Sequence, residues 1–163
     1  MLLLGSRVNE QAVWTATAEI CADVDEVLEA LTDPEVISAW APVRFEVEGL
    51  AGGRLRAGTR ERVSGAIAGV KVTFDVEVSR ADEDGLELVA HGPLSFDVAY
   101  DLCPSAFGVA VQASVSLRRP RGWSGQLLQA AVCALLNAGA LGAALLRLQA
   151  ALCGPLDAQL VAA

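Results

Sequence analysis

The first elements of the fold are encoded by residues 13–40, which read VWTATAEICADVDEVLEALTDPEVISAW. From Val13 to Ile20, small and apolar residues alternate with threonine and glutamate, which predicts a half-buried strand. Asp23 then caps a helix that carries an apolar stripe at helical spacing. Asp33-Pro34 ends this helix and begins a second short one, which runs to Trp40. Residues 13–40 therefore predict one strand followed by two short helices.

Strands separated by turns are predicted for the middle of the chain, because apolar and polar residues alternate there between glycine-containing breaks. The predicted ranges are 43–50, 58–67, 70–81, 86–92, 94–102 and 107–117. The clearest pair is a hairpin around Ala68-Gly69, in which a two-residue loop pairs Ile67 with Val70. The pattern as a whole predicts a meander of antiparallel strands.

Charged residues support the register of this hairpin. The register places Arg62 opposite Asp75, and it also places Arg60 opposite Glu77. Each such cross-strand pair of opposite charges contributes roughly 0.2–1 kcal/mol. The same register turns Glu61 toward the apolar face of the sheet, which is an unusual position for a carboxylate.

A long C-terminal helix is predicted over residues 122–152, with Gly154-Pro155 ending it. Residues 126–146 carry no charge and are long enough to span a membrane. Their polar side chains nevertheless fall on one helical sector and the large apolar side chains fill the rest, which is typical of a helix lying on a protein core. We therefore expect no membrane span, and a single domain over residues 1–163 in which residues 13–117 precede the helix.

The composition excludes several classes of function. The chain has 20 acidic residues against 12 basic ones and a net charge of −8, which opposes binding to nucleic acid or to an anionic membrane. It contains no nucleophile motif, P-loop or GxGxxG motif, so no cofactor is predicted. The N-terminus has neither the basic residue nor the long apolar run of a signal peptide, so we expect a cytoplasmic protein.

The cysteines are scattered, at positions Cys21, Cys103, Cys133 and Cys153. No pair has the CxxC spacing of a zinc site and the chain contains 1 histidine, so no metal site is predicted. A chain of this length has a core of its own and does not require disulfides. We therefore expect buried thiols.

The order of strand, two short helices, antiparallel strands and long helix resembles the START-like superfamily, also called SRPBCC or helix-grip. This superfamily includes polyketide cyclases, lipid-transfer proteins and plant Bet v 1-like proteins. The residues that carry the resemblance are Ile20, Val27-Leu28, Leu31, Asp33-Pro34-Glu35 and Trp40-Ala41-Pro42. Leu28 departs mildly from the family pattern, which often has an aromatic residue there. Three further pairs are similar to the carbon-monoxide-dehydrogenase G-type branch: Gly58-Thr59, Ser64-Gly65 and Gly69-Val70.

The resemblance implies an α+β fold in which a curved antiparallel sheet wraps around the C-terminal helix, with a ligand cavity between them. We expect this cavity to be mostly apolar. Its expected ligand-binding residues are Trp40, Val63, Phe74, Val76, Phe96, Val98, Leu135 and Gly142. Small residues in the helix would leave space for the ligand, whereas close packing of helix on sheet without a cavity is the alternative.

Three polar side chains are candidates for acid–base chemistry in such a cavity: Glu61, His91 and Tyr100. Glu61 would act as an acid or base on the apolar face, or pair with an arginine at a wet rim. Tyr100 would orient a ligand carbonyl or fill the core. The direction of His91 is open, because a turn at Glu83-Asp84-Gly85 points it outward and a turn at Gly92-Pro93 points it inward. The disagreement between the two turns predicts a bulge between them.

Two functions follow from the resemblance. The protein would bind a small hydrophobic or aromatic ligand, such as a lipid or a polyketide-like molecule, without chemistry. Alternatively it would be a polyketide cyclase or dehydratase, which orients a reactive chain and moves protons through the three candidate side chains. A further role is a homodimer contact through a sector of small residues at Cys133, Ala140 and Ala144.

Overall fold

The computed structural model describes residues 12–41, 43–48, 53–67, 69–118, 120 and 122–161. Along these ranges the elements are β1 (Val13–Ile20), α1 (Val24–Thr32), α2 (Pro34–Trp40), β2 (Phe45–Glu48), β3 (Arg60–Ile67), β4 (Val70–Asp82), β5 (Gly85–His91), β6 (Phe96–Ser105), β7 (Gly108–Leu117), α3 (Gly122–Asn137) and α4 (Ala140–Val161). The order is the predicted one, except that the C-terminal helix is divided in two.

All the strands belong to one sheet, in the order β1-β7-β6-β5-β4-β3-β2. Every neighbouring pair is antiparallel. β2 to β7 follow one another across the sheet in chain order, and β1 pairs with β7 at the end of this series. α1, α2 and α4 pack together on the face that carries the apolar side chains. The predicted α+β helix-grip fold is confirmed.

The first two helices begin as the sequence predicts. Asp23 accepts a hydrogen bond from the N–H of Glu26 at 2.8 Å, and the Glu26 carboxylate accepts one from the N–H of Asp23 at 3.3 Å, which completes a capping box. Asp33 caps α2 by accepting from the N–H of Glu35 at 2.9 Å, and Pro34 occupies the first turn. Local sequence therefore fixes both helix starts.

The hairpin of β3 and β4 has the predicted register. Arg60 contacts Glu77 at 3.2 Å, and Arg62 contacts Asp75 at 3.4 Å. All four side chains are exposed, so each pair contributes at the low end of the expected range. Glu61 faces the opposite side of the sheet, as predicted.

A β-bulge lies next to β5 but not within it. The register of β4 against β5 shifts by one residue at Ser79, so the extra residue is on the neighbouring strand and the predicted position of the bulge is wrong. Beyond the bulge Ala81 packs toward the core. Arg80 lies on the outer face, where it contacts Glu87 at 3.2 Å and Asp101 at 2.8 Å.

The prediction of a single C-terminal helix is wrong, because the helix breaks in the middle. α3 ends at Asn137, α4 begins at Ala140, and the two are bent by 57°. Gly139 has a φ of +91°, and its N–H donates to the carbonyl of Leu136 at 3.1 Å. A glycine in this left-handed conformation is a common helix end. α4 also continues past Gly154-Pro155, where the helix was expected to end.

The break changes which side chains of the C-terminal segment face the core. α3 packs through Leu128, whereas α4 packs through a separate stripe of Leu141, Ala144, Leu145 and Leu148. Three leucines that a continuous helix would turn inward are exposed instead: Leu127 by 62%, Leu135 by 42% and Leu146 by 64%. The small-residue sector is divided as well. Ala144 is buried in one core cluster and Cys133 packs from α3 against a second one, so Cys133, Ala140 and Ala144 do not share one exposed surface.

Among the described helices, none is by itself long and apolar enough to cross a membrane. α3 and residues 140–153 of α4 together meet the requirements of length and composition, across their 57° bend.

Apolar side chains form two clusters on the inner face of the sheet. The larger cluster joins α1, α2 and α4 to the sheet and includes Leu31, Trp40, Tyr100 and Leu145. The smaller cluster lies under α3 and includes Val72, Phe74, Leu94 and Leu128. Trp14 and Val115 pack against both, so the two clusters are continuous along β1 and β7.

The cysteines are less buried than expected. Cys21 and Cys103 are exposed, and Cys133 and Cys153 are half-buried. All four are described, and none is in a disulfide. The predicted strand end at Gly49-Leu50 and the N-terminal residues 1–11 lie outside the described residues.

Candidate functional site

A cavity of about 180 Å³ lies between α2 and the sheet. Its lining residues are Pro34, Ile37, Phe45, Val47, Leu55, Thr59, Glu61, Val63, Phe74, Val76, Val78, Leu88, Ala90 and Phe96. They come from α2, from β2 to β6 and from the segment before β3. None of the described residues of α3 or α4 is among them, so this cavity does not lie between the sheet and the C-terminal helix, where a cavity was expected. The physical reason is that α4 lies along β1, at the opposite edge of the sheet from β2.

The alternation of β3 and β4 builds the wall of this cavity. Val63 and Phe74 are cross-strand partners that both face inward. Phe74 contacts Phe96 edge to face, with ring centroids 5.2 Å apart and an interplanar angle of 72°. The wall surface is apolar throughout, so Thr59 and Glu61 contribute carbon atoms to it. Such a wall offers dispersion contacts and no hydrogen bonds to a ligand.

The predicted ligand-binding residues divide into two groups. Val63, Phe74, Val76 and Phe96 line the cavity. Trp40, Val98, Leu135 and Gly142 lie elsewhere. Val98 packs against the larger core cluster, and Leu135 is exposed on α3. Gly142 lies in α4, where a Cβ would meet no atom within 4 Å.

Trp40 joins three elements of the core. Its Nε1–H donates to the carbonyl of Ala30 at 3.0 Å, which ties the end of α2 to α1. Its ring contacts Tyr100 edge to face, with centroids 6.0 Å apart and an interplanar angle of 85°. Trp40 is only 4% exposed, so its position is that of a packing residue at the centre of the larger cluster.

Tyr100 is the one candidate whose environment is strongly apolar. Its side chain is 9% exposed, and burial raises the pKa of its hydroxyl to about 12. No group in the described part of the chain hydrogen-bonds to this hydroxyl. With that pKa the hydroxyl stays protonated at neutral pH, so it can donate a hydrogen bond but cannot act as a base. It does not line the cavity.

Glu61 borders the cavity at its outer end. It lies opposite Val76 on β4. The last described pair of β2 and β3 is one residue away, at Arg62, so among the described residues β3 forms the edge of the sheet at Glu61. It also borders a groove on the outer face, whose other residues are Glu48, Arg60, Arg62, Asp75, Val76, Glu77 and His91. Glu61 forms no ion pair with any described residue, since its neighbours Arg60 and Arg62 pair with β4. Glu61 therefore borders the cavity through carbon atoms and borders the outer groove as well, and no described residue holds its carboxylate in an ion pair.

His91 faces away from the cavity. It lies opposite Asp75 and is exposed on the outer face, in regular alternation with the buried Leu86 and Ala90 of β5. The loop after it is longer than the two-residue Gly92-Pro93 turn, because Ala90 pairs with Phe96. The structure thus separates the three candidates for acid–base chemistry: Glu61 is at the cavity rim, His91 is outside the sheet, and Tyr100 is in the core.

Nine lining residues were not predicted, and six of them lie in α2 or between α2 and β3. Phe45 and Val47 alternate with glutamates in β2, which is a detectable inward-facing pattern. Ile37 lies on the inner side of α2, and Leu55 precedes β3. No group of three His, Cys, Asp or Glu side chains is placed to hold a metal ion in the described ranges.

Comparison with known proteins assigns the chain to a family. The family described as polyketide cyclase / dehydrase and lipid transport matches residues 11–152. The chain belongs to this family. The match covers every described strand and both N-terminal helices, and therefore all residues that line the cavity. No curated protein matches the sequence.

Solved structures similar to this member of the family share its fold at low sequence identity. TTHA0849 from Thermus thermophilus is 20% identical, with a TM-score of 0.64 over 86% of this chain and 97% of its own. MLL2253 from Mesorhizobium loti is 18% identical, with a TM-score of 0.62 over 86% of this chain and 96% of its own. A protein from Arthrobacter aurescens is 16% identical, with a TM-score of 0.65 over 90% of this chain and 88% of its own.

Proposed function

We propose that the protein binds a small apolar or aromatic ligand in the cavity between α2 and the sheet. The observation that carries the proposal is the wholly apolar wall of that cavity. Water in such a space makes few hydrogen bonds, so its replacement by an apolar ligand is favourable. The family description, which includes lipid transport, agrees with this function.

The size of the cavity limits the ligand. An apolar cavity of roughly 150 Å³ accommodates benzene, so a volume of about 180 Å³ suits a part of a molecule with one or two rings. The edge-to-face pair of Phe74 and Phe96 offers aromatic contacts on one wall. A larger ligand would project past Glu61 into solvent, and its polar groups would lie at that end.

Binding of 1-naphthylamine tests this proposal, because its emission shifts to the blue in apolar surroundings. We expect saturable binding to the wild-type protein. Val63→Phe places extra carbon atoms in the cavity and should weaken binding at least about tenfold, which corresponds to roughly 1.4 kcal/mol. Val70→Phe is the matched control, since Val70 lies on the same hairpin, is 59% exposed and does not line the cavity. Equal binding by both variants would contradict the proposed site.

A second candidate function, acid–base catalysis on the bound ligand, is favoured by the carboxylate of Glu61 at the cavity rim. A cyclase or dehydratase needs a group that removes or supplies a proton on a chain held in place by the apolar wall. Among the three candidate residues, only Glu61 borders the cavity.

Glu61→Gln separates this second function from binding alone. With an aromatic polyketide-like substrate, we expect turnover to fall about 10²- to 10⁴-fold. The affinity for 1-naphthylamine should stay unchanged, because Glu61 contributes only carbon atoms to the wall. Glu77→Gln, on the outer face, is the control. Undiminished turnover by Glu61→Gln would exclude Glu61 as the acid or base.

A further inference from the structure

Two cysteines that are far apart in sequence meet where α4 passes the end of β1. The N–H of Cys21 donates to the Sγ of Cys153 at 3.2 Å, across a sequence separation of 132 residues. One helical turn earlier, the Nε2 of Gln149 donates to the carbonyl of Glu19 at 2.8 Å. Two side chains on one face of α4 are thus bound to the backbone at the end of the first strand.

The separation of the two cysteines is close to that of a disulfide. A distance of 3.2 Å between the Cys21 nitrogen and the Cys153 sulfur keeps the two Cα atoms within about 7.5 Å of each other. Disulfides join Cα atoms roughly 4.4–6.8 Å apart. A side-chain rotation at Cys21 and a small backbone movement are therefore enough to bring the sulfur atoms together.

The exposure of the two residues suggests an order of reaction. Cys21 is exposed, whereas Cys153 is half-buried beside the larger core cluster. An external oxidant reaches an exposed thiol first, and a neighbouring thiol then completes the exchange. Cys103 lies on β6 and Cys133 on α3, so they serve as internal controls.

We propose that Cys21 and Cys153 form a reversible disulfide that links the end of β1 to α4. The oxidant is a low-molecular-weight disulfide. The Cys21 thiolate attacks one of its sulfur atoms, which forms a mixed disulfide and releases one thiolate. The Cys153 thiolate then attacks the Cys21 sulfur, which forms the protein disulfide and releases the second thiolate. The two protons lost by the cysteines pass to the two released thiolates, and the oxidant is reduced to two thiols.

Such a link would close a loop that contains almost the whole fold. It would hold α4, whose Leu145 and Leu148 are fully buried in the core, against the first strand. Closing a loop of this length restricts the unfolded chain and raises the melting temperature, by about 5–15 °C for a domain of this size.

Oxidised glutathione applied to the purified full-length protein tests the proposal. We expect non-reducing peptide mapping to find Cys21 joined to Cys153, and Tm to rise and then return to its starting value with dithiothreitol. Cys21→Ser and Cys153→Ser should each abolish the cross-link and the rise. Cys153→Ser retains a hydrogen-bond acceptor for the N–H of Cys21, so the reduced fold is preserved. Cys103→Ser and Cys133→Ser should behave as the wild type.

Two results would overturn the proposal. One is a stable glutathione adduct on Cys21 with no link to Cys153, and the other is a cross-link with unchanged Tm in a correctly folded protein. Neither result affects the proposed ligand cavity, because Cys21 and Cys153 do not line it.

Discussion

Tyr100 allows a direct test of how apolar the core is around β6. Its hydroxyl has a pKa of about 12 in the folded protein, against an ordinary value of 10.0, because burial disfavours the phenolate. Below pH 10 the hydroxyl is protonated in both the folded and the unfolded chain. Between about pH 10 and pH 12 the unfolded chain loses the proton and the folded chain keeps it, so stability falls as the pH rises. The shift corresponds to roughly 2–3 kcal/mol of unfolding free energy, lost across that range.

The measurement is simple, because the sequence contains 1 tyrosine. The ultraviolet absorbance of tyrosinate therefore reports Tyr100 alone, and rapid pH jumps keep the chain folded during the reading. Urea unfolding at several pH values gives the free energy. Tyr100→Phe is the control. Between pH 10 and pH 12 the free energy of unfolding of the wild type should fall by roughly 2–3 kcal/mol relative to that of the variant. A titration midpoint near pH 10 in protein that is still folded would refute the desolvation of the hydroxyl.

Glycine and tryptophan substitutions test other features of the fold, each by urea unfolding. Gly139→Ala should lower stability by about 1–2 kcal/mol, because Gly139 has a φ of +91°. Gly142→Ala should raise stability by about 0.5–1 kcal/mol, because Gly142 lies inside α4 with open space around its Cβ position. If the substitutions at Gly139 and Gly142 changed stability equally, that result would argue against the helix break. Gly85→Ala should cost about 2–3 kcal/mol, since its Cβ would collide with the backbone carbonyl of Tyr100, and a neutral effect would contradict this close approach. Trp40→Phe should lower stability by about 1–3 kcal/mol, because the hydrogen bond to α1 is lost. It should leave the affinity for 1-naphthylamine unchanged, and a large loss of affinity would place Trp40 in the site.

The features that could be predicted from the sequence depend on local patterns. The capping box at Asp23 and Glu26 and the start of α2 at Pro34 are set by neighbouring residues. The register of the β3–β4 hairpin follows from a two-residue turn and from the charges on Arg60 and Arg62. These signals act within one helix start or one hairpin, so they are readable without knowledge of the rest of the chain.

The features that could not be predicted depend on contacts between distant parts of the chain. Gly139 lies in an apolar run, where a glycine is tolerated inside a helix, and only its left-handed conformation makes it a helix end. α4 packs along β1, at the opposite edge of the sheet from β2, and Leu135 and Gly142 of the C-terminal segment do not line the cavity. Gly92-Pro93 has the composition of a tight turn, yet the connection is longer because Leu94 is buried in the smaller cluster under α3. That contact with a remote helix leaves His91 pointing outward.

The extra residue at Ser79 changes which positions of β4 face the interior: even-numbered residues do so before it and odd-numbered residues after it. Even-numbered Val76 and Val78 contact the interior, whereas even-numbered Arg80 lies outside with its carboxylate partners and odd-numbered Ala81 packs inward. Without Ser79, Val78 and Ala81 would still face the interior and Arg80 the outer face, in regular alternation. A homologue that is one residue shorter at this point would therefore keep the same core. An ungapped alignment with such a homologue would match interior positions to surface positions on one side of this point. The two parts of β4 should therefore be aligned separately.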